Sequence, residues 1–198
     1  MHKKESSTSY LEYIQEISQQ VDNINQVDLE TFIYNISQAA RESRSIFFVG
    51  NGGSASAASH LAADLGKNTI MNPLESNEIR LKTLSLNDNI AWITALANDI
   101  GYEHIFSEQL KNLAKPEDVL VSISGSGNSL DIVNAVCWAK EAGLTTMALL
   151  GFDGGKTLPH VDVAVMVNSF DYGVVESVHG IIHHYIVNKV KEDIHVKK

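Results

Sequence analysis

Residues 45–67 read SIFFVGNGGSASAASHLAADLGK, and this stretch decides the fold. Ile46–Val49 is a short apolar run of β-branched and aromatic residues, the composition of a strand covered on both faces. Gly50, Gly52 and Gly53 follow it and permit a tight turn with close backbone approach to a ligand. Ser54 and Ser56 then bring hydroxyls to the start of a helix, whose free N–H groups favour anions. His60 and Asp64 lie four residues apart and so share a face of that helix. A strand, a glycine turn and a helix in this order form a phosphate cradle. A histidine and a carboxylate close by point to chemistry on a phosphorylated small molecule.

Working outward, the rest of the chain alternates in the same way. Tyr10, Ile14, Ile17 and Val21 fall on one face of a first helix. Asp28 is placed to cap a second, in which Phe32, Ile33, Ile36, Ala39 and Ala40 form an apolar stripe. After the opening stretch, Ile79–Leu86 reads as a second strand, and Asn89–Ala97 and Ile105–Leu113 as helices. Val119–Ile123 is a third strand, Ser129–Ala142 a helix ended by Gly143, Thr145–Leu150 a fourth strand and Val161–Val167 a fifth. Gly173–Glu192 makes a long last helix. This pattern predicts one α/β domain over residues 1–198, a three-layer sandwich with a five-stranded parallel sheet covered on both faces. The two N-terminal helices, over about residues 8–44, can cover a subunit interface as readily as their own sheet. Residues 1–8 and 194–198 read as loose ends.

Composition narrows the function classes. Of the 198 residues, 44% are hydrophobic and 20% charged, as in a soluble globular protein large enough for a substantial core. The net charge of −9, without a basic cluster, argues against nucleic acid as a partner. It leaves a phosphate ligand open, because local N–H groups outweigh global charge. No apolar run approaches the roughly 20 residues of a spanning helix, and the N-terminus lacks the apolar core of a signal peptide, so no membrane partner is expected. Cys137 is the one cysteine, which rules out a disulfide within the chain and fits a reducing, cytoplasmic location.

Two further features carry chemistry. Strand Val119–Ile123 runs into Ser124-Gly125-Ser126-Gly127-Asn128-Ser129, where small residues permit a backbone nest and serine hydroxyls can face one anion. Two such loops at strand C-terminal ends match the place where open α/β sheets bind ligands. The last helix holds Glu176, His179, His183 and His184. At 100° per residue His179 and His183 lie within about 60° of Glu176, and His184 within about 80° on the other side. Helical geometry alone does not choose which histidine shares a site with Glu176. Asp153, in Gly151-Phe152-Asp153-Gly154-Gly155, is expected to shape a turn.

These residues together resemble the sugar isomerase (SIS) domain and, within it, the phosphoheptose isomerases. The resemblance runs from about Tyr10 to Lys191. It is carried by Gly50-Asn51-Gly52-Gly53-Ser54, Ala97-Asn98-Asp99-Ile100-Gly101-Tyr102, Ser122–Ser129, Gly151–Gly155 and the Glu176…His179…His184 spacing. It implies the SIS variant of a flavodoxin-like or Rossmann-like fold, and a homotetramer with active sites built between subunits. On that basis His60 and Asp64 are expected to meet Glu176 and His184 across a subunit boundary. The implied activity is aldose–ketose isomerisation of the phosphorylated sugar sedoheptulose 7-phosphate to a heptose 7-phosphate, often with a bound zinc ion.

The same resemblance assigns roles. Asn51, Gly52, Gly53 and Ser54 match a substrate-binding turn, Asn98 and Asp99 a second substrate contact, and Ser124, Gly125, Ser126 and Ser129 the phosphate loop. His60 and His184 match metal-binding histidines, and His184 also a catalytic acid–base residue. Two positions depart from the pattern. Asp64 stands where those isomerases carry a glutamate that is both base and metal ligand, and Glu176 stands where they carry a substrate-contacting glutamine. Aspartate reaches about 1.5 Å less, one C–C bond. The pair is consistent with zinc held by His60, Asp64, Glu176 and His184, or with a base role moved from Asp64 to Glu176. A second reading is a non-catalytic SIS protein, a sugar-phosphate sensor or a factor that assists loading of the replication initiator DnaA. The ionisable set His60, Asp64, Glu176 and His184 favours the enzyme.

Overall fold

A computed structural model describes residues 9–75 and 78–196. The chain opens with α1 (Tyr10–Asp22) and α2 (Gln26–Arg41). Ser9 caps α1 in a reciprocal box: its hydroxyl accepts from Glu12 N at 3.3 Å, and the Glu12 carboxylate accepts from Ser9 N at 2.6 Å. Asn25, and not the expected Asp28, caps α2, its Oδ1 accepting from Val27 N and Asp28 N. Asp28 lies one turn in, where a carboxylate complements the helix dipole instead.

The alternating unit follows: β1 (Ser45–Gly50), α3 (Gly53–Asn68), β2 (Lys82–Ser85), α4 (Ile90–Asp99), a 3₁₀ turn over Tyr102–His104, and α5 (Ile105–Leu113). Then come β3 (Val119–Ser124), α6 (Leu130–Glu141), β4 (Thr145–Gly151), a short 3₁₀ turn, β5 (Val163–Val167) and α7 (Tyr172–His195). All neighbouring strands pair in parallel, in the order β2-β1-β3-β4-β5. The sequence reading therefore holds in class and strand number. The second strand is shorter than Ile79–Leu86, because only Lys82–Ser85 pairs with β1. The last helix runs past Glu192 because Ile194 still packs into the core. The expected loose end at residues 1–8 lies outside the described residues, as do 197 and 198.

Side chains alternate cleanly across the sheet. Ile46 and Phe48 of β1 join the layer built with α2, α3 and α7, and Phe47 and Val49 join the layer built with α5 and α6. The stripe of α2 is buried there, with Phe32 and Ile36 fully enclosed, so this helix covers its own sheet. By contrast α1 presses only Ile17 and Val21 inward and leaves Tyr10, Leu11 and Ile14 exposed. Among the described residues no helix is long and apolar enough to cross a membrane.

The topology fixes where a ligand goes. From β1 the chain moves outward to β2, then returns to place β3 on the other side of β1. The strand order reverses between β1 and β3, and crevices of open α/β sheets form beyond the carboxyl ends of such strands. The Gly50–Ser54 and Ser124–Ser129 loops follow those two ends.

Candidate active site

The first loop is held from below. Asn87 accepts from Gly50 N at 3.2 Å and donates to Gly50 O at 2.7 Å. Gly52 turns left-handed, with φ of +54°, and caps α3 without a side chain to occupy the first-turn N–H groups. In the second loop the Ser124 hydroxyl accepts from Gly127 N at 3.0 Å, and the Ser126 hydroxyl from Asn128 N at 3.3 Å. Thr157 braces it by donating its N–H and hydroxyl to Gly127 O at 2.9 and 2.8 Å. Asp153 accepts from Gly155 N at 3.1 Å, so it shapes the bracing turn. Asn51, Gly52, Gly53, Ser54, Ser124, Gly125, Ser126 and Ser129 line one cavity of about 280 Å³, closed by Tyr172 and Glu176. No lysine or arginine is among these lining residues. An anion there is met by main-chain N–H groups and hydroxyls.

A second cavity, of about 260 Å³, adjoins the first and shares Gly53, Ser54, Ile123 and Glu176 with it. Its remaining walls include His60 from α3 and His179, His183 and His184 from α7. The two helices pack directly, and a Cβ on Gly53 would collide with the Glu176 carboxylate. Asp64 is the hub: its Oδ2 lies 3.2 Å from His183 Nε2, 3.3 Å from His60 Nε2 and 3.7 Å from His184 Nδ1. Its other oxygen accepts from Asn68 Nδ2 at 2.8 Å. One donor atom each from His60, Asp64 and His183 lie within 4.8 Å of one another, a group able to hold a metal ion. Two imidazoles and one carboxylate form a donor set that suits a divalent transition metal.

Within one chain, α3 and α7 lie side by side on the same layer and bring His60 and Asp64 beside Glu176 and His184. His183, which helical spacing left undecided, belongs to the compact donor group, whereas Glu176 and His184 stand beside it. The signal for His183 was its angle to Glu176, about 20° at 100° per residue and smaller than that of His184.

Burial, with the nearby His60 and His184, pushes His183 down to about 4, and burial alone pushes His179 down to about 4. Both are therefore neutral near pH 7, the state in which imidazole binds a metal. The unfolded chain protonates such groups near 6.5 and the folded one only near 4. Their contribution to stability is full above about pH 6.5 and falls as pH drops towards 4. For fully enclosed His179 this difference amounts to about 3 kcal/mol. Replacing His179 with Leu is expected to flatten the fall in melting temperature between pH 6.5 and 4.5, measured by circular dichroism.

The remaining expected contacts separate. Asn98 and Asp99 end α4 exposed, bonded to each other at 2.8 Å, and line neither cavity. The same segment reaches the first loop through Tyr102, whose hydroxyl donates to Asn51 Oδ1 at 2.8 Å. Asn51 Nδ2 in turn donates to Asp131 Oδ2 at 2.8 Å. Burial pushes the Asp131 carboxyl up, and burial with the Asp131 charge pushes the Tyr102 phenol up.

A parallel sheet with two glycine- and serine-rich loops at its switch point, opening onto a histidine–carboxylate cluster, defines an α/β domain with a ligand crevice equipped for proton or metal chemistry. The SIS domain family profile matches residues 9–151, which leaves α7 beyond the matched span. Phosphoheptose isomerases from Sulfurimonas denitrificans and Helicobacter pylori are each 37% identical to the chain, over 155 and 163 residues. The first alignment covers 78% of this chain and 76% of the relative, the second 82% of both. The solved structure of phosphoheptose isomerase GmhA from Neisseria gonorrhoeae is similar with a TM-score of 0.82 and 29% identity, covering 92% of this chain and 95% of that one. The chain belongs to the SIS domain family and, within it, to the phosphoheptose isomerases.

Proposed function

We propose that the protein is an aldose–ketose isomerase that converts sedoheptulose 7-phosphate to a heptose 7-phosphate. The observation that carries this reading is the pair of adjoining cavities. One offers hydroxyls and N–H groups for a phosphate, the other offers carboxylates and histidines, and Glu176 stands at their junction. A substrate anchored by its phosphate in the first would present its far end to the second, so phosphate binding orients the reacting carbons.

Isomerisation moves one proton between neighbouring carbons and needs no oxidant. A carboxylate takes the proton from C1 of the ketose, leaving an enediolate, and a proton returns to C2. A second group shifts a proton between the two oxygens. Glu176 is the better-placed base, since it borders both cavities while Asp64 is engaged by three histidines. His184, 62% exposed and beside Asp64, is the candidate for proton transfer to oxygen. His60, Asp64 and His183 would hold a zinc ion, with Glu176 and His184 close by. Bound there, zinc would stabilise negative charge on the substrate oxygens.

Exposed Tyr10, Leu11 and Ile14 on α1, and an apolar groove between α2 and α7 lined by Leu29, Ile181, Ile182 and Tyr185, support assembly of a homotetramer that closes the open side of the site. A single cysteine and a phosphorylated substrate support a cytoplasmic location. Curated relatives named as isomerases weigh against the initiator-associated reading. The test is an NMR assay against a panel of ketose phosphates. A new aldose signal from sedoheptulose 7-phosphate is expected, and turnover confined to a different ketose phosphate would reassign the substrate.

A further inference from the structure

The first loop contains one side chain between its glycines, that of Asn51, and that side chain is already engaged by the protein. Its Nδ2 donates to Asp131 Oδ2 and its Oδ1 accepts from the Tyr102 hydroxyl, both at 2.8 Å. Asp131 lies in the first turn of α6, directly after the second loop, and is 3% exposed. Tyr102 opens the 3₁₀ turn that follows α4. Three segments distant in sequence therefore meet on one amide. Asn134 Nδ2 reinforces the arrangement by donating to Glu103 O at 2.9 Å, tying the same turn to α6.

We propose that Tyr102 and Asp131 are positioning residues for the substrate phosphate, acting through Asn51 to set the first loop against the second. The proposal rests on the reading of these loops as the phosphosugar site. An amide whose oxygen takes a phenol proton and whose nitrogen faces a carboxylate has one orientation, because a flip would set oxygen against oxygen at Asp131. The Asn51 amide is thus committed to the protein, and what the turn presents to a ligand is its main chain. A Gly-Asn-Gly-Gly turn has high conformational freedom, and holding it in one shape costs entropy that the two bonds offset. The bond to Asp131 is the stronger, since its acceptor is a carboxylate.

The test uses inorganic phosphate as probe, with affinity read by calorimetry on the intact protein. Tyr102→Phe and Asp131→Leu, which remove the donor and the acceptor outright, are each expected to weaken phosphate binding about five- to tenfold, as for loss of one such bond. Asn51→Ala should weaken it at least as much. Adding Tyr102→Phe to Asn51→Ala should change nothing further, because the hydroxyl acts only through that amide. In turnover, KM for the ketose phosphate should rise by the same factor while kcat changes less than about threefold. Tyr102→Phe keeps the ring, and its melting temperature should match wild type. Unchanged phosphate affinity in the folded Tyr102→Phe and Asp131→Leu proteins would overturn the proposal. So would an equal loss from Tyr102→Phe in the Asn51→Ala background, or a wild type that binds no phosphate at millimolar concentration. Phosphate binding is read without turnover, so a wild type that binds phosphate but yields no aldose would sink the isomerase reading alone.

Discussion

Asp64→Ala is expected to strip the protein of metal and to lower isomerase turnover by more than about a thousandfold. Asp64 Oδ2 lies between 3.2 and 3.7 Å from three imidazoles, and its side chain is only 15% exposed. Removing that carboxylate leaves His60 and His183 without the negative charge that a divalent ion needs beside them. The loss of metal is read by elemental analysis of the purified protein, and the loss of turnover by NMR. Glu176→Gln provides the contrast. It should keep the metal and still lose about a hundred- to ten-thousandfold in kcat, the usual contribution of a positioned base. A Glu176→Gln protein with the wild-type rate would return the base role to Asp64.

The second large effect is expected at His184. His184→Ala should bind metal as wild type does and lose turnover about a hundred- to ten-thousandfold. His183→Ala should show the metal loss instead, because His183 completes the compact donor group and His184 does not. The exposed His184 side chain is dispensable for packing, so its variant should keep the wild-type melting temperature. Metal lost from His184→Ala and kept by His183→Ala would exchange the two roles and restore the ligand set that family resemblance implies.

Much of the fold was legible because it rests on local pattern. The apolar runs at Ile46–Val49, Val119–Ile123 and Thr145–Leu150 stand in a parallel sheet, and the glycine turns between strands and helices follow from their composition. The two loops were recognisable for the same reason: a glycine- and serine-rich turn after a strand is contiguous in sequence. What the sequence hid depends on which elements face each other. Spacing along α7 gives the angles of His183 and His184 about one helix axis, but the side turned to Asp64 is set by how α3 packs against it. The bonds from Asn51 to Tyr102 and Asp131 span 51 and 80 residues, beyond any periodicity. Likewise, that α4 ends with Asn98 and Asp99 exposed while Tyr102 of the same segment bonds to Asn51 depends on how α4 packs.

The central claim is proton transfer between adjacent carbons of a phosphorylated sugar held across two adjoining cavities. Its most direct test is to incubate the wild-type protein, supplied with zinc, with sedoheptulose 7-phosphate in deuterium oxide and follow both by NMR. The account predicts an aldose heptose 7-phosphate, with solvent deuterium at C2 in those turnovers in which the protonated base exchanges with solvent before it returns its proton. Wild-type protein that forms no aldose would contradict it.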